Sequence, residues 1–328
     1  MPDHADVSTH HLDPHDLGRQ LLDSLRLPDR EIEQRIDQAL SASYWQTLVP
    51  GLIVGGAPAP ELSRVASLET QARRDVLHRF EAERYMRLPQ LLPQSLTSRM
   101  HDGVHAVLNA DWPAVFTWVF DEFWRVPRLP ALVDLLSAVL GDGYKQTPYI
   151  WTNMVSAQRG AGGWSPHVDN PGPDARVTMW IPLSDATLDT GCISLIPPNA
   201  IPSALQVEWH DRTSFDVREM KQMLQASRAI VSTPGDVMAW DAGVIHWGSP
   251  RQAAGQPRVS LSTEFITPRG EARILAQSID VAPDAALPSH EQRLRLIADG
   301  ILMFNRRELR TSRYEGFATR LLARLSDG

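Results

Sequence analysis

The sequence is short of cysteine, of lysine, of positive charge and of long apolar runs, and each shortage narrows what the chain can be. A single cysteine, Cys192, excludes an intrachain disulfide and fits a reducing cytoplasm. Lysine occurs only at Lys145 and Lys221; the rest of the positive charge is arginine, which reads as codon bias in a GC-rich genome rather than as a binding signal. The net charge of −7 and a pI near 5.9 argue against a nucleic-acid partner, which needs a basic footprint. No apolar run reaches the roughly 18 residues required to cross a bilayer. The opening MPDHADVSTHHLDPHDL has neither the cationic start nor the apolar stretch of a signal peptide.

What is present is an ordinary globular composition. Hydrophobic residues make up 43 % and charged residues 22 % of 328 residues, enough for a real core in one large domain or two small ones. Residues 1–15 are polar, His-rich and without periodicity, and are expected to be a disordered tail. From residue 16 to residue 143 the apolar residues recur at helical spacing. Helices are expected over Leu17–Leu27, Asp29–Ser43 (opened by an Asp29 cap), Leu68–Met86, Pro93–Leu108, Ala114–Trp124 and Pro130–Leu140.

Over residues 144–268 the pattern changes to short β-rich runs separated by turns. Strands are expected at Tyr149–Ser156, Arg176–Pro182, Gly191–Ile196, Asp236–Trp240 and Arg258–Ile266, with a helix-bearing insertion at 200–231. Short strands at this spacing suggest a sandwich or jelly roll rather than alternating βαβ units. Helices return over 269–328, at Ser289–Phe304 and Tyr314–Leu325. No internal repeat is evident.

The chemistry concentrates in three places. In Ser165-Pro-His-Val-Asp-Asn170 the histidine and the aspartate are two apart, so on extended backbone His167 and Asp169 leave the same face. An imidazole and a carboxylate side by side cover two adjacent positions of an octahedral metal, and a second histidine would complete a facial triad with three positions open. His246 supplies it, beyond a Pro234-Gly-Asp turn, an apolar strand and Gly243. Twelve residues on comes Arg258-Val-Ser260, where a guanidinium fork and a hydroxyl share one strand face and form a receptor for a carboxylate. A lone His-x-Asp arises by chance; the ordered set of three is specific.

His-x-Asp, a distal His after a Gly-Asp turn, and Arg-x-Ser a dozen residues later resemble the phytanoyl-CoA dioxygenase family of Fe(II)- and 2-oxoglutarate-dependent oxygenases. Val177-Thr-Met-Trp-Ile-Pro-Leu-Ser-Asp-Ala-Thr-Leu-Asp-Thr-Gly-Cys-Ile-Ser-Leu-Ile-Pro197 is similar to the family's segment after the motif. The resemblance covers roughly residues 145–266. It implies an α+β protein with a double-stranded β-helix (jelly-roll) core, an N-terminal helical layer and C-terminal helices. It also implies Fe(II) held by His167, Asp169 and His246, with 2-oxoglutarate and O2 as cosubstrates. Arg258 would bind the 5-carboxylate with Ser260 or Thr178 assisting, Trp180 would line that pocket, and Asn153 would hydrogen-bond the cosubstrate. Two departures stand out: Pro197-Pro-Asn-Ala200 replaces the family's Pro-Gly-Ser-His, and Gly248 replaces a serine, for which Ser249 or Ser260 would stand in.

The resemblance implies hydroxylation of a small molecule, with 2-oxoglutarate decarboxylated to succinate. A carboxylate at 169 argues for oxygen transfer over halogenation, since related halogenases have Gly or Ala there. Desaturation, epoxidation and demethylation use the same oxidant and stay open. A metal-binding jelly-roll protein without turnover has no use for Arg258-Val-Ser260, and cupin-like isomerases present His-rich triads. Of five tryptophans near the motifs (Trp151, Trp164, Trp180, Trp240, Trp247), any one is better explained by core packing than by a substrate pocket. Asp241 is either an orienter of a metal ligand or a turn residue, Cys192 a core residue, and His210 a surface residue without a role. No nucleic-acid or membrane partner is expected, and the sequence does not set the oligomeric state.

Overall fold

The computed structural model describes residues 26–57, 59–170, 172–200, 217–282, 285–305 and 309–326. The expected tail at 1–15, nearly all of Leu17–Leu27, His210 and residues 201–216 of the expected insertion lie outside the described residues.

Nine strands are described: β1 (Tyr85–Leu88), β2 (Lys145–Val155), β3 (Arg176–Pro182), β4 (Ile193–Ile196), β5 (Arg228–Ile230), β6 (Val237–Asp241), β7 (Ile245–Gly248), β8 (Arg258–Ile266) and β9 (Ile279–Asp280). They form a six-stranded sheet, β1-β6-β3-β8-β2-β9, and a three-stranded sheet, β5-β4-β7, antiparallel throughout. Helices α1 (Asp29–Leu40), α2 (Ala42–Leu48), α3 (Thr70–Glu83), α4 (Gln94–Asn109), α5 (Asp121–Arg125) and α6 (Pro130–Leu140) precede β2. Then come α7 (Val217–Ala226), α8 (Ala272–Gln277), α9 (His290–Phe304), α10 (Leu309–Arg313) and α11 (Glu315–Ser326). No described helix is long and apolar enough to cross a membrane.

Alternation along the strands decides where everything sits. On β8, Val259, Leu261 and Phe265 join a large apolar cluster with the helices. Arg258, Ser260, Ser262 and Glu264 leave the opposite face, toward the cavities. The same split separates Val177 and Met179 from Thr178 and Trp180 on β3, and Val237 and Ala239 from Met238 and Trp240 on β6. A second apolar cluster joins Tyr85, Trp180, Met238 and Trp240 of the six-stranded sheet to Ile193 and Leu195 of the three-stranded one. The six-stranded sheet is therefore covered on both faces, which is why β3 is buried at every position. Under the helices, Trp45, Trp112, Trp118, Trp124 and Phe116 are fully buried. Each such ring contributes roughly 2–3 kcal/mol of burial free energy.

Several expected elements take other bounds. α1 begins at Asp29 with Pro28 as the capping residue, which makes no side-chain cap, so Asp29 lies in the first turn. The helix expected over Leu68–Met86 stops at Glu83, because Arg84 turns into the left-handed region (φ 61°) and Tyr85–Leu88 pairs with β6. Ala114–Trp124 divides into a 3-10 helix, Ala114–Val119, and α5. The break frees the buried Asp121 carboxylate to accept from the backbone N–H of Gly55 and Gly56 and from Arg293. α9 starts on a capping box in which Ser289 and Gln292 satisfy each other's backbone N–H. β1, β5, β7 and β9 had no counterpart among the expected strands.

Candidate metal centre

The first two ligand candidates sit on an irregular segment that runs beside β7. His167 and His246 exchange both backbone hydrogen bonds, at 3.0 and 2.9 Å, and the Asp169 N–H donates to the Ala242 carbonyl. This pairing, rather than a regular strand, brings the two imidazoles to a centroid separation of 4.3 Å. Each histidine donates its Nδ1–H to the carbonyl two residues earlier, His167 to Ser165 at 2.7 Å and His246 to Val244 at 3.0 Å. Those bonds fix the tautomer with the proton on Nδ1 and leave Nε2 as a lone-pair donor. Both Nε2 atoms lie 3.5 Å from Asp169 Oδ1. One ligand atom from each of the three lies within 4.8 Å of the others, and no other such cluster of three occurs among the described residues.

Asp169 is held by its other oxygen. Thr178 Oγ1 and Trp240 Nε1 both donate to Oδ2, at 2.6 and 3.1 Å, from directly opposed positions of β3 and β6. Burial would raise the Asp169 carboxyl, but the neighbouring His246 and His167 imidazoles and the Thr178 hydrogen bond hold it down to about 2. Burial pushes the His246 imidazole below its ordinary value, which favours the neutral form that binds metal. His167 Nε2 is buried with no hydrogen-bond partner. Three ligand atoms converging on one point, one of them buried and unpartnered, fit a divalent ion.

The triad borders a cavity of about 260 Å³ whose far end is cationic. Arg258 is 3 % exposed, and its Nε and Nη1 find no acceptor; Ser260 Oγ, fully buried beside it on β8, is also unpartnered. Burial pushes the guanidinium down to about 10, with the nearby Arg251 adding to the effect, so Arg258 stays charged at neutral pH. A buried, unpaired guanidinium is strongly unfavourable unless an anion fills the cavity. Asn153 stands opposite Ser260 in the β2–β8 register, where its Nδ2 donates to Ser262 Oγ at 3.4 Å. Trp180 lines the same cavity.

The structure also shows residues that the motifs left out. Gly163 and Gly248 approach so closely that a Cβ on Gly248 would lie 2.7 Å from Gly163 Cα and 3.0 Å from Arg258 Nη2. The absent serine at 248 thus makes room for the guanidinium. Ser249 is engaged elsewhere, 2.7 Å from Ser194 Oγ. Trp151, Trp164, Trp180 and Trp240 line the cavity, whereas Trp247 packs with Ile196, Met223 and Ile245. Asp241 is a turn residue that pairs with Arg84 and caps Gly243, and Cys192 is buried in the apolar cluster between the sheets. The Pro198–Ala200 departure forms a 3-10 turn at the border of the undescribed segment.

Helices packed on an antiparallel sheet, with a His-Asp-His cluster beside the buried, unpartnered donors of Arg258 and Ser260, are the frame of this protein. The model of the phytanoyl-CoA dioxygenase (PhyH) family matches residues 62–260, so the chain belongs to that family, whose enzymes use Fe(II), 2-oxoglutarate and O2. The match begins in the N-terminal helices, well before the 145–266 stretch in which the motifs lie. Among solved structures, the non-heme alpha ketoglutarate dependent epimerase SnoN from nogalamycin biosynthesis is similar at 16 % identity and a TM-score of 0.50 over 67 % of this chain and 91 % of that one. SnoN in complex with Fe3+, alpha ketoglutarate and nogalamycin RO gives 16 % identity and 0.48, over 67 % and 94 %. The non-heme monooxygenase ThoJ as its Ni complex gives 15 % and 0.49, over 75 % and 100 %. A search of curated proteins found no match.

Proposed function

We propose that this protein is an Fe(II)- and 2-oxoglutarate-dependent dioxygenase that hydroxylates an unactivated C–H bond of a small molecule in specialised metabolism. The observation that carries this reading is one cavity holding both the three ligand atoms and the unpaired Arg258–Ser260 receptor. A metal-storing protein has use for the first and none for the second.

His167 and His246 would hold iron through Nε2 and Asp169 through Oδ1. When bound, the iron supplies open coordination positions at which 2-oxoglutarate and dioxygen meet. Arg258 binds the 5-carboxylate of 2-oxoglutarate through its free N–H groups, with Ser260 donating beside it. Thr178 spends its hydroxyl on Asp169 Oδ2, so it orients a ligand instead of touching the cosubstrate. Trp180 walls the cavity against water, and Asn153 is placed to bond the bound anion. The overall reaction balances with one atom of O2 in succinate, the other in the hydroxylated product, and release of CO2. We read the two sheets as a double-stranded β-helix, with residues 144–268 as the catalytic core and the flanking helices as its cover.

The test is an anaerobic titration with Fe(II) and 2-oxoglutarate, followed by the weak visible charge-transfer band of the chelate. The band is expected in the native protein and strongly diminished in Arg258→Ala. Its absence from the native protein, or an undiminished band in the variant, overturns the cosubstrate assignment. His246→Ala is expected to form no succinate; full turnover by that variant rejects His246 as a ligand.

A further inference from the structure

Beyond the triad, on the side away from Arg258, lies a second cavity of about 480 Å³. His167, Asp169 and Thr178 border both cavities, as do Trp151, Trp164 and Phe304 along the aromatic wall they share, while Arg258 and Ser260 border only the first. The metal position therefore stands between an anion receptor and this second space. One wall of the second space is aromatic: Phe304 of α9 packs at 4.6 Å from Trp151 and 5.1 Å from Trp164. The opposite end is polar and built around Arg176, which is 7 % exposed. Its guanidinium meets Glu264 at 3.2 Å, Asp174 at 3.8 Å and Glu271 at 3.9 Å. Glu264 and Glu271 line this end and Asp174 meets the same guanidinium from just outside it, so carboxyl groups outnumber the one cation here. Arg176 Nε and Asn170 Nδ2 are nonetheless buried donors without an acceptor.

We propose that this second cavity is the substrate site, and that Asp174, Glu264 and Glu271 around Arg176 make it select an uncharged, oxygen-bearing ring compound against anions. The inference rests on the dioxygenase reading for the side on which the substrate enters. The aromatic wall takes a flat ring system by stacking. Arg176 Nε and Asn170 Nδ2 supply hydrogen bonds for a hydroxyl or carbonyl oxygen. A carboxylate, a phosphate or a coenzyme A thioester meets a guanidinium already flanked by three carboxyl groups, in a cleft where like charges repel. The compound that gives the family its name is such a thioester, so this chain's substrate belongs to another class. Arg258 differs from Arg176 in this respect: no ion pair to Arg258 occurs among the described residues, and it is left to receive the dianionic cosubstrate.

The test uses two probes that differ in charge and hardly in shape, 6-hydroxy-2-naphthamide and 6-hydroxy-2-naphthoate. Each is titrated into the protein loaded with Fe(II) and 2-oxoglutarate under nitrogen, with quenching of tryptophan fluorescence as the readout. The amide is expected to bind at least tenfold more tightly than the acid. Glu271→Gln, whose side chain is 53 % exposed and so leaves folding intact, is expected to narrow that ratio, and Glu264→Gln to narrow it further. Equal or tighter binding of the acid, a ratio unchanged in both variants, or binding of neither probe overturns the proposal. The chelate band of 2-oxoglutarate is recorded in the same samples. A normal band with failed discrimination sinks the substrate inference alone, whereas a missing band sinks the dioxygenase reading beneath it.

Discussion

Asp169 Oδ2 takes hydrogen bonds from Thr178 and Trp240, which leaves Oδ1 as the atom facing both imidazoles. Removing one of these donors lets the carboxylate rotate, and loss of such an outer contact typically weakens metal binding by about 10- to 100-fold. Thr178→Val keeps the shape and deletes the hydroxyl, so Co(II) affinity is expected to fall within that range in a titration of the visible cobalt bands. An unchanged affinity would show that Trp240 alone orients the ligand. Gly248→Ser probes the other end, where a Cβ would press on both Gly163 and Arg258. Its 2-oxoglutarate dissociation constant is expected to rise at least tenfold while Co(II) affinity stays near the native value; a parallel loss of both would mean that the segment beside β7 had shifted. The convergence of His167 with Asp169, and of Arg258 with Ser260, was legible because each pair lies in a short pattern with its own geometry. The job of Thr178 was not, since it depends on the register of β3 against β6, 62 positions apart along the chain. Nor was the need for glycine at 163 and 248, which comes from two backbones meeting.

Elements were legible where their signals are local. Pro130 opening α6 and Gly141 (φ 91°) closing it bound that helix as its pattern suggests, and Arg176–Pro182 and Arg258–Ile266 begin and end as expected. Short pairings failed for the converse reason. The four residues of β1 carry no alternation of their own and become a strand only because β6 offers an edge. β7 is four residues long and earns its place by pairing with β4 on one side and by the His167 bridge on the other. The Ser289–Gln292 capping box is a local device whose loss can be read cleanly. Ser289→Ala is expected to destabilise the protein by about 1 kcal/mol, lowering the thermal midpoint by roughly 1–2 °C for a chain of this size. Calorimetry checks the shift, and cobalt affinity should not change, because Ser289 lies at the end of α9 remote from Phe304.

At the scale of the whole molecule, the six-stranded sheet separates an apolar interior under the helices from a face that supplies Thr178, Trp240, Arg258 and Ser260 to the site, while the three-stranded sheet and the segment beside it supply the metal-ligand candidates. Two carboxyl groups beside the site respond to pH in opposite directions. Asp169, held down to about 2, contributes stability above the ordinary carboxylate range and loses it as pH falls toward 2. Glu264 is raised from 4.5 to about 7, first by burial and then by the Asp169 charge, with Arg176 opposing. A raised carboxyl means that the folded state keeps a proton that the unfolded chain gives up above about pH 4.5. The contribution of Glu264 is therefore full below about pH 4.5, declines as pH rises, and levels off past about pH 7. Glu264→Gln has no proton to lose, so its stability relative to the native protein should climb across that window by up to roughly 3 kcal/mol. Urea unfolding of both proteins at intervals from about pH 4.5 to about pH 8 measures the difference directly. Parallel curves would mean that Arg176 keeps Glu264 ionised throughout, in which case the negative excess at the substrate end is larger, and discrimination against anions should persist undiminished at the acid end of the range.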